Sequence, residues 1–167
     1  MAALHALLLE FAEDRLGLVE RHEASARIVS HYDFNNAYQY VINREETHLE
    51  WVKSALADAA ATPVLVSAAA LPVPVAPPGK KTVDVSAYRA ILEDDARYLA
   101  AFVEKWRPRV DRLSHARHRT MLGVVLGESM EHTRFFELAA AGVENLLGRR
   151  TAGSARVGGV LPTRWQE

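Results

Sequence analysis

Apolar residues recur at intervals of three and four along four long segments of this chain, and nothing convincing alternates in the manner of a sheet. The first segment runs from about Ala3 to Ser30 and the second from Phe34 or Ala37 to Ala60. Between them "SHYDFNN" is a polar turn with Asp33, Asn35 and Asn36 as N-cap candidates, and so short a turn makes the two helices antiparallel neighbours. The third helix starts near Ser86, capped by Asp84 or Ser86, and carries Tyr88, Ile91, Leu92, Leu99, Phe102, Val103 and Trp106 on one side. Pro108 kinks or ends it. The fourth runs from about His115 or Arg119 to Leu147, with Gly148 as its C′ residue.

Residues 61–85 break this rhythm. "LPVPVAPPGKK" cannot be helical, because proline lacks the amide donor and restricts the residue before it. Extended at ~3 Å per residue, the segment is long enough to run the length of a bundle, so it reads as a crossover, with a plain linker between two hairpins as the alternative. Its "VLV" and "VDV" runs are either short strands or apolar packing on the bundle surface. Residues 149–167 form a Gly/Ser-containing tail ending in an apolar patch, Val160, Leu161 and Trp165, which suits docking on this subunit, another subunit or a shell protein. The expected architecture is one all-α domain over 1–148, a four-helix bundle with a long crossover between helices 2 and 3.

The inward stripes of these helices are not purely apolar. Helix 2 reads Phe34, Tyr38, Val41, Glu45, His48, Val52, and helix 4 reads Met121, Val125, Glu128, His132, Phe135, Ala139. Helix 3 carries Asp95 in mid-stripe, and helix 1 carries Glu23, with Glu20 a turn earlier. A turn centred near Phe34 sets Glu23 level with Glu45, whereas one nearer Tyr32 selects Glu20; a second turn near Asp111 or Arg112 sets Asp95 opposite Glu128. Isolated buried carboxylates are costly unless neutralised, and several together repel. Lysine and arginine are largely absent from the stripes as drawn, so the expected counter-charge is a metal ion. Oxygen and imidazole donors suit iron or manganese. Each element also has a plain reading: Glu-x-x-His pairs are common on solvated faces, Glu128 and His132 have the spacing of a surface pair, and "EDDAR" around Asp95 is a charge run.

With a carboxylate on helix 1, Glu-x-x-His on helix 2 within "REETHLEWV", a crossover, a carboxylate on helix 3 and a Glu/His cluster on helix 4, residues 3–148 resemble the ferritin-like superfamily, its rubrerythrin-type members in particular. The resemblance implies two irons held between the helices, with Glu45 bridging and His48 as a ligand, Glu20 or Glu23 from helix 1, and Asp95 from helix 3. It also implies oxidation of Fe(II) by dioxygen or peroxide. Helix 4 departs from the pattern: Ser129 stands three residues before His132, and "GESMEH" offers Glu128 and Glu131 instead. A single or asymmetric metal site is therefore also expected from this sequence. Two other readings compete. One is a DinB-like bundle binding one metal through histidines, for which His48 and His132 supply two. The other is a metal-free structural or assembly bundle.

The totals narrow the field further. No cysteine is present, which removes disulfides, zinc-thiolate sites and a rubredoxin module. A formal net charge of −1 gives no electrostatic case for nucleic acid. No stretch approaches the ~20 apolar residues of a membrane span, and the N-terminus lacks a signal-peptide pattern. A cytoplasmic homo-oligomer is the resulting expectation.

Overall fold

The computed structural model describes residues 2–59, 65–76 and 85–148. Its elements are α1 (Ala2–Ile28), α2 (Tyr32–Ala59), a short 3₁₀ turn (Val85–Tyr88), α3 (Arg89–Asp111) and α4 (Ala116–Ala140). No strand occurs among the described residues, and residues 65–76 have no regular structure. None of the described helices is long and apolar enough to cross a membrane.

A ladder of side-chain contacts fixes the relative directions. Along α1, Glu10 meets Arg109, Asp14 meets Trp106, Arg21 meets Asp95 and Ser30 meets Tyr88, so α3 runs antiparallel to α1. Arg15 reaches Glu45 and the Asn35 side chain caps the Ala26 and Val29 carbonyls, so α2 is also antiparallel to α1. Tyr40 lies against Phe135, and Arg44 and His48 hold Glu128, which makes α4 antiparallel to α2.

The core is continuous between the helices. Phe11 packs edge-on against Phe102 and Trp106 at 5.1 and 4.8 Å, and the Trp106 indole donates to Asp14 at 2.8 Å. That bond satisfies the one polar atom of the largest fully buried side chain. Pro108 lies inside α3, whose helix continues to Asp111. Part of residues 65–76 lies along α1: the Ala69 amide donates to the Glu13 carbonyl at 2.9 Å, and the Arg21 guanidinium donates to the Pro72 carbonyl. Gly17 makes that approach feasible, since a Cβ there would stand 2.3 Å from the Ala69 oxygen.

Helix 4 stops earlier than its periodicity suggests. Gly142, with φ of 83°, takes the left-handed position; its amide donates to the Ala139 carbonyl and the Val143 amide to the Leu138 carbonyl. These two bonds form a Schellman closure, so Gly142 rather than Gly148 ends the helix. The "VDV" run lies mostly, and the Val160–Trp165 patch entirely, outside the described residues.

Candidate functional site

The register of the first hairpin decides what faces Glu45. The turn between Ile28 and Tyr32 is centred on Ser30, so Glu45 stands level with Arg15, not with a helix-1 glutamate. The inward stripe of α1 is Leu8, Phe11, Arg15, Leu18, His22, Ser25 and Val29, one residue earlier than the stripe through Glu23. On α4 the stripe keeps Val125, His132 and Ala139 but exchanges Met121, Glu128 and Phe135 for the next residues, Leu122, Ser129 and Phe136.

Arg15 is fully buried and donates to Glu45 Oε1 at 2.8 Å and to Ser129 Oγ at 2.6 Å. Its guanidinium lies 4.3 Å from the centre of the Phe102 ring. The other Glu45 oxygen takes a bond from His22 Nδ1 at 2.8 Å. Burial alone would raise the Glu45 carboxyl, but His22 and Arg15 outweigh it and hold it below the ordinary carboxylate value. Glu45 is thus ionised, paired and closed off from water.

Asp95 sits in a second network. Arg21 Nε donates to Oδ1 at 2.6 Å and the Tyr38 hydroxyl donates to Oδ2 at 2.5 Å. Burial first, and then the Asp95 charge, push the Tyr38 phenol well above its ordinary value, which keeps it a donor. Tyr98 lies under Arg21, 4.3 Å from ring centre to guanidinium.

The third group lies between α2 and α4. His48 and His132 are buried with their rings roughly parallel, 6.5 Å between centres. His48 Nε2 donates to Glu128 Oε2 at 3.1 Å, the tautomer that leaves its Nδ1 with a lone pair and no donor. His132 Nδ1 and His22 Nε2 are likewise buried without a protein partner. Burial, helped by the Arg15 charge, pushes His48 down to about 4. Burial also takes His132 to about 4, against the opposing pull of Glu45. Both imidazoles are neutral at pH 7. Glu128 is held below the carboxylate range first by Arg44, which donates to both its oxygens at 2.7 and 2.9 Å. Each member of that pair is about one-third exposed, 33% and 30%.

The candidates from the sequence therefore separate. Glu45, His48, Asp95 and His132 are buried, and Glu128 joins His48 at the rim. Glu20 and Glu131 are exposed, and Glu23, half-exposed, pairs with Arg27 at 3.1 Å. Asp95 is engaged by Arg21 and Tyr38 rather than set opposite Glu128. The expectation that lysine and arginine are largely absent from the inward faces needs correcting: Arg15, on the rotated stripe of α1, and Arg21, beside that stripe, are both buried. His22 escaped notice because of the same rotation, and Ser129, seen in the sequence only as a gap in the helix-4 motif, proves to be a partner of Arg15.

This geometry bears on the metal that the resemblance implies. Among the described residues no three His, Asp or Glu side chains stand close enough, as placed, to hold an ion. A two-metal centre fits poorly, because Arg15 occupies the level where helix 1 would supply a carboxylate and Ser129 the place of the glutamate in Glu-x-x-His. Expelling a fully buried guanidinium would leave the Glu45 carboxylate in the core with only His22 beside it, at a cost of several kcal/mol. A single ion between His48, Glu128 and His132 fits better. Its imidazoles are already neutral, the His48 Nε2 that faces Glu128 would yield its proton to a cation, and Arg44, bound in a partly exposed pair worth about 0–1 kcal/mol, must turn away. No family model, curated protein or solved structure matches the chain.

Proposed function

We propose that this chain is a ferritin-like bundle that binds one first-row metal ion between α2 and α4, with His48, His132 and Glu128 as the holding residues. The observation that carries the reading is the pair of buried, neutral imidazoles on facing helices, one of them turned with its Nε2 to a carboxylate. Two histidines and one carboxylate are the donor set of mononuclear non-haem iron(II) sites, and they also accept zinc or manganese. Such an ion supplies a Lewis acid with open coordination positions. The protein's part is to keep both histidines deprotonated and to set the Glu128 carboxylate beside them.

Support for the ferritin-like topology comes from chain direction. Since α2 and α3 both run antiparallel to α1, they are parallel to each other, and a connection between them has to travel back along the bundle. The contacts of Ala69 and Pro72 with α1 suit that path. Paired-iron oxidation of Fe(II) by dioxygen or peroxide is not part of the proposal, since Arg15 stands where the second centre needs its carboxylates. The three-histidine alternative is also set aside: the third imidazole, His22, comes from α1 and is already bound to Glu45.

A second reading, the metal-free bundle, is favoured by one feature: Glu45, Asp95 and Glu128 each have an arginine partner. Thermal melting separates the two. A bound ion stabilises the native state by mass action, so Zn(II) or Fe(II) raises the Tm of stripped protein and chelator reverses the rise. In His48→Ala/His132→Ala the increment with Fe(II) disappears. Identical melting curves with ion and with chelator would favour the metal-free bundle.

A further inference from the structure

Another pair of histidines lies at the start of α4, about three helical turns from Glu128. His115, with extended backbone at φ −77° and ψ 102°, immediately precedes the helix, and His118 stands in its first turn. Their Nδ1 atoms face each other at 2.8 Å, and the ring centres are 4.2 Å apart. In neutral rings one Nδ1 donates and the other accepts, so a single proton lies between two nitrogen lone pairs.

A metal ion can take the place of that proton. Two nitrogens bound side by side to one first-row cation, each at about 2.0–2.1 Å, stand about 3 Å apart. The observed spacing is within a few tenths of an ångström of that bite, so the rings need no backbone movement to close on an ion. Asp58, near the C-terminal end of α2, acts on His118 electrostatically and places a negative charge beside the pair. His115 is exposed, so the remaining coordination positions are open to water.

We propose that His115 and His118 form a surface site for a borderline divalent cation of the Cu(II), Ni(II) and Zn(II) class. Imidazole donors and an open surface favour these ions over Mg(II) or Mn(II), and Cu(II) binds tightest of the three. The site is independent of the one between α2 and α4: it shares no residue with it and stands or falls separately.

Calorimetric titration of the full chain with ZnCl₂ and NiCl₂ tests it. The expected result is a binding event that weakens by about tenfold or more in His118→Ala, as loss of a ligand costs at least what loss of its supporting partner does. The event is absent in His115→Ala/His118→Ala and unchanged in His48→Ala/His132→Ala. The His115 and His118 side chains are at or near the surface, and circular dichroism of each variant checks the fold. Unaltered affinity and stoichiometry in His115→Ala/His118→Ala would overturn the proposal, as would the absence of any event that His48→Ala/His132→Ala retains.

Discussion

Arg15 joins three helices through one side chain: it is rooted in α1 and donates to Glu45 on α2 and Ser129 on α4. Removing it leaves the buried Glu45 carboxylate with only His22 beside it, so Arg15→Met is expected to cost about 3–5 kcal/mol of stability, read from denaturant midpoints. Arg44→Ala breaks a half-exposed pair and is expected to cost about 0–1 kcal/mol. The same change removes the competitor for Glu128 and should tighten metal binding. Equal destabilisation by the two substitutions would contradict the assignment of Arg15 to the centre and Arg44 to the rim.

His48 and His132 give the molecule a pH dependence. Their folded values of about 4 lie below the ordinary 6.5, so between these limits the unfolded chain binds more protons than the native one. Metal-free protein should therefore lose stability as pH falls from about 6.5 towards 4, by an amount of order a few kcal/mol. Urea midpoints at pH 7.5 and 5.0 measure it, and His48→Gln/His132→Gln should flatten the difference. At this scale the sequence shows Glu45, His48 and His132 plainly, because each interrupts an apolar stripe. Arg15 and His22 stay hidden because α1 is apolar on several sides near its N-terminus, so its inward face is set by α2 rather than by its own pattern.

At the scale of elements, four helices and a proline-rich interruption are legible from periodicity and from the backbone limits of proline. Their ends are less so. The Schellman closure at Gly142 competes with an apolar pattern that continues to Leu147, and the backbone bonds to Leu138 and Ala139 prevail. A shorter turn than "SHYDFNN" suggests moves the centre of the first hairpin to Ser30 and so exchanges Glu23 for Arg15 opposite Glu45. The contact between α1 and residues 65–76 carries its own test. Gly17→Val drives a side chain into the Ala69 carbonyl and should cost about 1–3 kcal/mol. Limited proteolysis should then cut within residues 65–76 faster than in the unaltered chain. A cleavage rate unchanged by Gly17→Val would mean that this segment does not depend on α1 for its position.

At the scale of the molecule, the resemblance to ferritin-like proteins rests on a pattern of polar residues inside a bundle, and the bundle itself follows from the helices and their directions. What periodicity could not supply is the rotation of each helix about its axis, and that rotation distinguishes two carboxylates from an arginine and a serine. The number of metal ions the chain holds distinguishes these arrangements. Elemental analysis of the His115→Ala/His118→Ala chain, after anaerobic reconstitution with Fe(II) and removal of free ion, measures it directly. One ion per chain, lost when His48→Ala/His132→Ala is added, is the predicted result. Two ions per chain would restore the dinuclear centre in place of Arg15, and none would favour the metal-free bundle, its inward carboxylates balanced by protein groups alone.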